Sequence, residues 1–333
     1  MSQQSFFDRA ALRRFCAALL ASAAIFRIGL FACTQTAQAA EFYFEPPVQT
    51  RAETRPAPEL PEPTAYPTLI YDPPAAVPRF TAADADRVDI YNMYPNTLLF
   101  DKAAVITRTL NFDARKSGPL ILIVHTHSCE AYTPSPTDDY TQVEPYRSTD
   151  PDTGVMRVGQ ALCDRLNAAG LSALHDTTLH DCPEYNGAYG RAAETIRSYL
   201  RRYPSIQMVI DLHRDAAEDS RGRQVALRTT VDGEQTAKLM FVVGSDLGEN
   251  DHPGWLDNFA CAMQLQALGE ARAPGLFRHI SMRRSSYNQE LTPNSLLVEV
   301  GAIGNSLDEA LRSAELLAEL LTELLAGQTG RAD

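Results

Sequence analysis

The chain has 333 residues, a formal net charge of −12, and 44% hydrophobic against 22% charged residues. An acidic chain with no long Lys/Arg run is a poor polyanion binder, which sets nucleic-acid binding aside. The length allows one large domain with appendages, or two modest domains. Six cysteines are present, at 16, 33, 129, 163, 182 and 261, with no CxxC and no zinc-knuckle spacing. Most read as small buried apolar residues. A bridge between Cys129 and Cys182 is conceivable outside the cytosol.

Residues 15–33, "FCAALLASAAIFRIGLFAC", are long enough to span a bilayer. Arg9, Arg13 and Arg14 precede them, and the next basic residue beyond is Arg51. That asymmetry predicts a cytoplasmic 1–14, a single-pass anchor and an exported remainder. Arg27 is near enough to one end to snorkel. A cleaved signal peptide, with "TAQAA" at 36–40 as its site, and a lipid anchor at Cys33 are the competing readings. All three export the rest. Residues 41–80 are crowded with proline, which favours an extended spacer over helix or central strand. Residues 81–118 read as a peripheral segment.

From 119 to 326 the pattern is regular. "PLILIVHT", "LSALHD", "IQMVIDLH", "QVALRTTV", "KLMFVVG" and "SLLVEVG" read as strands. Helical spacing recurs through Val155, Val158, Leu162 and Leu166 up to Gly170, then through Ala192, Ile196 and Tyr199, and again over 255–269. Ser306 and Glu309 form a capping box for the last helix. Strands alternating with helices predict an α/β domain, a mostly parallel twisted sheet flanked by helices.

Three of these strands carry polar groups at or near their ends, where α/β sheets collect functional residues. The first runs into His125, with Glu130 after it. The third ends at His213. The last holds Glu299 inside an apolar run, which is costly unless the carboxylate pairs, binds metal or stays wet. A catalytic zinc takes three ligands from His, Asp or Glu and leaves one position open. His125, Glu130 and His213 fit the ligand role, and Glu299 fits a general base. Each has a plainer reading. His125 could bond a loop, and Glu130 could be solvated. His213 could pair with Asp211 or Asp215, and Glu299 with Arg283 or Arg284. His127 shares the face of His125 if the strand continues. It could replace Glu130 as a ligand, or orient the site from behind. His175, His180 and Cys182 read as an incidental cluster. Neither HExxH nor GxSxG occurs.

"HTHSCEAY", "DLHRDA", "KLMFVVGSD", "HPGW", "SSYNQEL" and "LLVEVGAIGNSLDEA" occur in this order. Together they resemble the stage II sporulation protein P family over roughly 119–326. The resemblance implies an amidase-like fold and a peptidoglycan hydrolase of sporulation and engulfment. Its chemistry would be zinc-dependent cleavage between N-acetylmuramic acid and L-alanine, with stem-peptide endopeptidase activity as a second possibility. It implies Zn2+ at His125, Glu130 and His213, and catalysis by Glu299. Cys129 and "GAIGN" depart from the family pattern. Arg214, Arg284, Asn288 and Gln289, with Arg283, are candidates for holding substrate. The resemblance also implies a septal membrane setting alongside stage II sporulation protein D. A non-catalytic peptidoglycan-binding scaffold is the alternative.

Overall fold

Beta-branched and aliphatic runs such as Ile121–Val124 have no polar face, so they are stable only when covered on both sides. The computed structural model, which describes residues 78–134, 146–248 and 251–329, covers them in that way. The expected anchor or signal segment and nearly all of the proline-rich spacer lie outside the described residues. Among the described residues, no helix is long and apolar enough to cross a membrane.

In chain order the main sheet takes β1 (Ile90–Asn92), β2 (Ile121–Val124), β3 (Ala173–His175), β4 (Met208–Asp215), β7 (Leu239–Gly244), β8 (Ile280–Arg283) and β9 (Leu296–Ala302). Its spatial order is β1-β8-β7-β9-β4-β2-β3. All pairings are parallel except β7 with β9. The helices are α1 (Lys102–Ile106), α2 (Gly154–Ala168), α3 (Ala188–Arg202), α4 (Trp255–Arg272) and α5 (Leu307–Leu325). The mixed α/β architecture and mostly parallel sheet match the sequence expectation.

Several details differ from it. "QVALRTTV" does not join the main sheet. Its β5 (Arg228–Val231) pairs with β6 (Glu234–Ala237) as a separate antiparallel hairpin. Strands β1 and β8 escaped the sequence reading because each is short. The segment read as peripheral supplies the edge strand β1, and its Val105, Ile106, Leu110 and Phe112 are buried in the main core.

Helix boundaries follow local chemistry. Ser306 caps α5 by accepting from the Glu309 N–H, and Glu309 accepts from the Ser306 N–H in return. Gly170, at φ +88°, provides the left-handed turn just past the end of α2. Alternation along β2 divides the core. Ile121 and Ile123 join the large cluster with α2 and α5, while Leu122 and Val124 pack with Ile196 and Tyr199 of α3.

The order β3-β2-β4-β9 has a consequence for function. The chain leaves β2 through α2 to β3, then returns across β2 through α3 to β4. Strand order therefore reverses between β2 and β4, and the crevice at their carboxyl ends is a topological switch point.

Candidate active site

Strand β2 stops at Val124, and residues 126–129 turn away from the sheet. Asp211 of β4 fixes this turn. Its carboxylate accepts from the Thr126 N–H at 2.8 Å and from Thr126 Oγ1 at 2.6 Å. Because the strand has ended, the two-residue alternation no longer applies, and His125 and His127 part company.

His125 is fully buried on the α2 side. Its Nδ1 donates to the Leu212 carbonyl at 2.8 Å, and its Nε2 lies 2.8 Å from His175 Nε2. His175 Nδ1 meets Gln160 Oε1 of α2 at 3.0 Å. Burial, with His175 adding to it, pushes the His125 imidazole down to about 3. Both ring nitrogens of His125 are thus engaged by Leu212 and His175, and not by Glu130, His213 or Glu299. It is a strand-end histidine, but its partners are Leu212 of β4 and His175 of β3 and not a loop.

His127 stands with the other candidates instead. Its ring lies 5.3 Å from that of His213, at an interplanar angle of 82°. His213 and Glu299 are register partners across β4 and β9. His213 Nδ1 is 3.6 Å from Glu130 Oε2, and its Nε2 is 2.9 Å from Asp211 Oδ1. Tyr185 stacks on His127 at 4.4 Å, with its hydroxyl 3.1 Å from His127 Nε2. Behind His127, Asp181 Oδ2 is 3.6 Å from Nδ1 and accepts from Arg147 at 2.9 Å.

The electrostatics of the cluster favour a cation. Burial alone would lower the His213 imidazolium, but Asp211, Glu130 and Glu299 outweigh it and hold the group up at about 10. Burial raises Glu299 to about 8, with Asp215 adding to the rise and His213 opposing it. Glu299 Oε2 has no hydrogen-bond partner, and the buried His127 Nδ1 has only Asp181 at 3.6 Å. Such orphaned atoms are costly to bury and call for an occupant.

Do these residues suit a metal? Among the described residues, no three His, Cys, Asp or Glu side chains are drawn together closely enough to chelate an ion as they stand. The donor chemistry nevertheless fits zinc. Ligands about 2 Å from one zinc at a tetrahedral angle are themselves roughly 3.4 Å apart. The 3.6 Å gap between His213 Nδ1 and Glu130 Oε2 is close to that spacing.

The substrate-holding candidates are otherwise engaged. Arg214 donates its N–H to Glu130 Oε2 at 2.9 Å and its Nε to the Ala131 carbonyl at 3.1 Å, so it positions Glu130. Gln289 is buried, accepting from the Gly244 N–H and donating to the Val242 carbonyl. Asn288 donates to the Tyr189 carbonyl. Arg284 is exposed and lies over the Tyr94 ring, with its guanidinium against the Leu247 carbonyl. Arg283 contacts Met93. His175, His180 and Cys182 form no metal cluster. His180 bonds the His125 carbonyl and Thr195, while His175 serves His125.

Sequence reasoning missed Asp181, Arg147, Tyr185 and Tyr189, whose ring lies 5.6 Å from that of His127, as neighbours of the site. The first three lie in loops, where no periodicity marks them. Asp211 was legible only as a pairing partner for His213, two residues along the same strand face.

A family model described as stage II sporulation protein P matches residues 77–322. The chain belongs to the stage II sporulation protein P family. It is 27% identical over 222 residues to stage II sporulation protein P of Bacillus subtilis strain 168, an overlap covering 62% of this chain and 51% of that protein. The match thus spans about half the length of that relative. Among solved structures, the apo N-acetylmuramyl-L-alanine amidase Ami1 of Mycobacterium abscessus is similar at 12% identity and a TM-score of 0.35, over 62% of this chain and 97% of the other. The CwlD amidase of Clostridioides difficile, solved in complex with the GerS lipoprotein, is similar at 12% identity and a TM-score of 0.32, over 62% and 95%. At these scores the overlap carries no argument about chemistry.

Proposed function

We propose that this sporulation-family protein is a zinc-dependent peptidoglycan amidase that hydrolyses the amide between N-acetylmuramic acid and L-alanine. The observation that carries the reading is the convergence of His127, Glu130, His213 and Glu299 at the switch point, with under-satisfied polar atoms on Glu299 and His127. His127, Glu130 and His213 would hold the metal, with His127 in the place the sequence reading gave to His125. Bound zinc supplies Lewis acidity toward an amide carbonyl and an acidified water.

The chain's own residues supply the rest. Glu299 accepts a proton from the attacking water and delivers it to the leaving amide nitrogen. Its raised affinity for a proton suits the second task, and a cation held beside it favours the carboxylate needed for the first. Asp211 fixes the His213 ring from behind, and Arg214 holds Glu130. Tyr185, 52% exposed, offers an aromatic face at the mouth of the site. Stem-peptide cleavage would use the same groups on a second amide.

An exported catalytic domain, held near a membrane by the N-terminal segment and acting with stage II sporulation protein D, completes the proposal. The test is release of stem peptides from purified peptidoglycan by the full chain, with and without chelator, and by Glu299→Gln. Zinc-dependent release that Glu299→Gln abolishes supports the reading. Wall binding without release, in either zinc state, favours the scaffold alternative.

A further inference from the structure

The turn that carries His127 and Glu130 is tied to a second loop, residues 176–187, by a short set of hydrogen bonds. Ser128 Oγ donates to Asp181 Oδ1 at 2.9 Å, and the Cys129 N–H donates to the same oxygen at 3.0 Å. The His180 N–H donates to Ser128 Oγ at 2.9 Å. Arg147 reaches the Asp181 carbonyl at 3.2 Å and its Oδ2 at 2.9 Å. These bonds hold residues 128–129 against residues 180–181, so Cys182 follows directly from the point of contact. The Cys182 side chain neighbours the Cys129 thiol. Both are free.

We propose that Cys129 and Cys182 are an oxidisable pair that closes into an intramolecular disulfide, locking the turn of His127 and Glu130 to the loop of Asp181. The other described cysteines offer no competing partner. Cys163 points at the Ala173 carbonyl, and Cys261 is buried in α4.

The two thiols differ in access. Cys129 is fully buried, whereas Cys182 is partly exposed. Full burial closes the Cys129 thiol to outside reagents. The oxidant is a small-molecule or protein disulfide. The Cys182 thiolate attacks one of its sulfurs, expelling the first thiol and leaving a mixed disulfide. Cys129 then gives up its proton and attacks Cys182 Sγ, expelling the second thiol. Two cysteine thiols are oxidised, one external disulfide is reduced to two thiols, and the cysteine protons pass to the departing sulfurs. The new bond encloses α2 and β3 in a covalent loop, which restricts the unfolded chain and resists unfolding. None of this depends on the zinc reading, because the hydrogen bonds that tie the two loops do not involve the proposed ligands' side chains.

The test equilibrates the full reduced chain with mixtures of oxidised and reduced glutathione, quenches with acid, blocks free thiols with N-ethylmaleimide and maps unreduced peptides by mass spectrometry. The expected product joins the Cys129 and Cys182 peptides, two hydrogens lighter than their sum, with no glutathione on Cys129. Oxidation also raises the urea midpoint of the wild type and leaves that of Cys182→Ser unchanged. A stable glutathione adduct on Cys182 beside a free Cys129 would overturn the proposal. So would pairing of Cys182 with Cys16, Cys33 or a second chain. The wild-type map decides the pairing without any variant having to fold.

Discussion

His213 of β4 and Glu299 of β9 stand side by side, paired in register across parallel strands at the carboxyl end of the sheet. Both are buried, at 3% and 4% exposure, and each is the other's charge partner. This adjacency lets the pair hold protons in the metal-free chain.

Above about pH 6.5, where the buried His125 and His175 are neutral in both states, stability of the metal-free chain should therefore fall as pH rises. Glu299 goes from 4.5 to about 8 on folding, and His213 from 6.5 to about 10. A group that binds its proton more tightly when folded contributes fully below its unfolded value and loses that contribution as pH climbs through its folded value. The loss from Glu299 falls between 4.5 and about 8, and that from His213 between 6.5 and about 10. Each group has a limiting slope of about 1.4 kcal/mol per pH unit. Urea midpoints measured against pH should show the decline, and Glu299→Gln should flatten its lower half. An identical profile for the variant would contradict this assignment.

Zinc should release protons when it binds at neutral pH. A histidine ligand must be neutral, yet His213 holds its proton up to about 10 in the metal-free chain. Calorimetry in two buffers of different ionisation enthalpy measures the release directly. Heats that do not depend on the buffer would mean that His213 is not displaced by the metal.

Asp211→Asn should weaken zinc binding by roughly 10–100-fold while leaving every proposed ligand in place. Asp211 holds Thr126 at the start of the turn and touches His213 from behind. An amide cannot match both the charge and the double acceptance. A competitive chelator titration reads the change, and unchanged affinity would remove Asp211 from the supporting role.

Gly159→Ala should destabilise the fold without touching the proposed ligands. A methyl there would meet His125 Nε2 at 2.5 Å and His175 Nε2 at 2.8 Å. Overpacking of this kind costs about 1–3 kcal/mol. Denaturant melts of the variant check the cost, and a wild-type midpoint would show that the histidine pair can move aside.

Much of this fold is legible in the sequence because its central strands are continuous apolar runs and its helices are strongly periodic. Strands β2, β4, β7 and β9 and helices α2, α3, α4 and α5 all announce themselves in this way. Strands β1 and β8 do not, being three or four residues long with mixed polarity. The antiparallel junction of β7 with β9 is equally silent, since strand direction leaves no mark on composition. At the site, Glu130, His213 and Glu299 were visible as polar residues in the wrong surroundings. The closeness of the His127 ring to His213 was not. It turns on where β2 stops, and Asp211, 85 residues further along, decides that by capturing Thr126.

The most direct test of the account compares bound zinc and stem-peptide release for the full chain, His127→Ala, His125→Ala and Glu299→Gln. The account predicts that the wild type binds zinc and releases peptide. It predicts that His127→Ala loses both, and that Glu299→Gln keeps zinc but loses activity by about 100-fold or more. His125→Ala should keep its zinc and lose about 1–3 kcal/mol of stability, as the Leu212 carbonyl and the His175 ring lose their partner. A folded His127→Ala that retains zinc, beside a folded His125→Ala that does not, would contradict it.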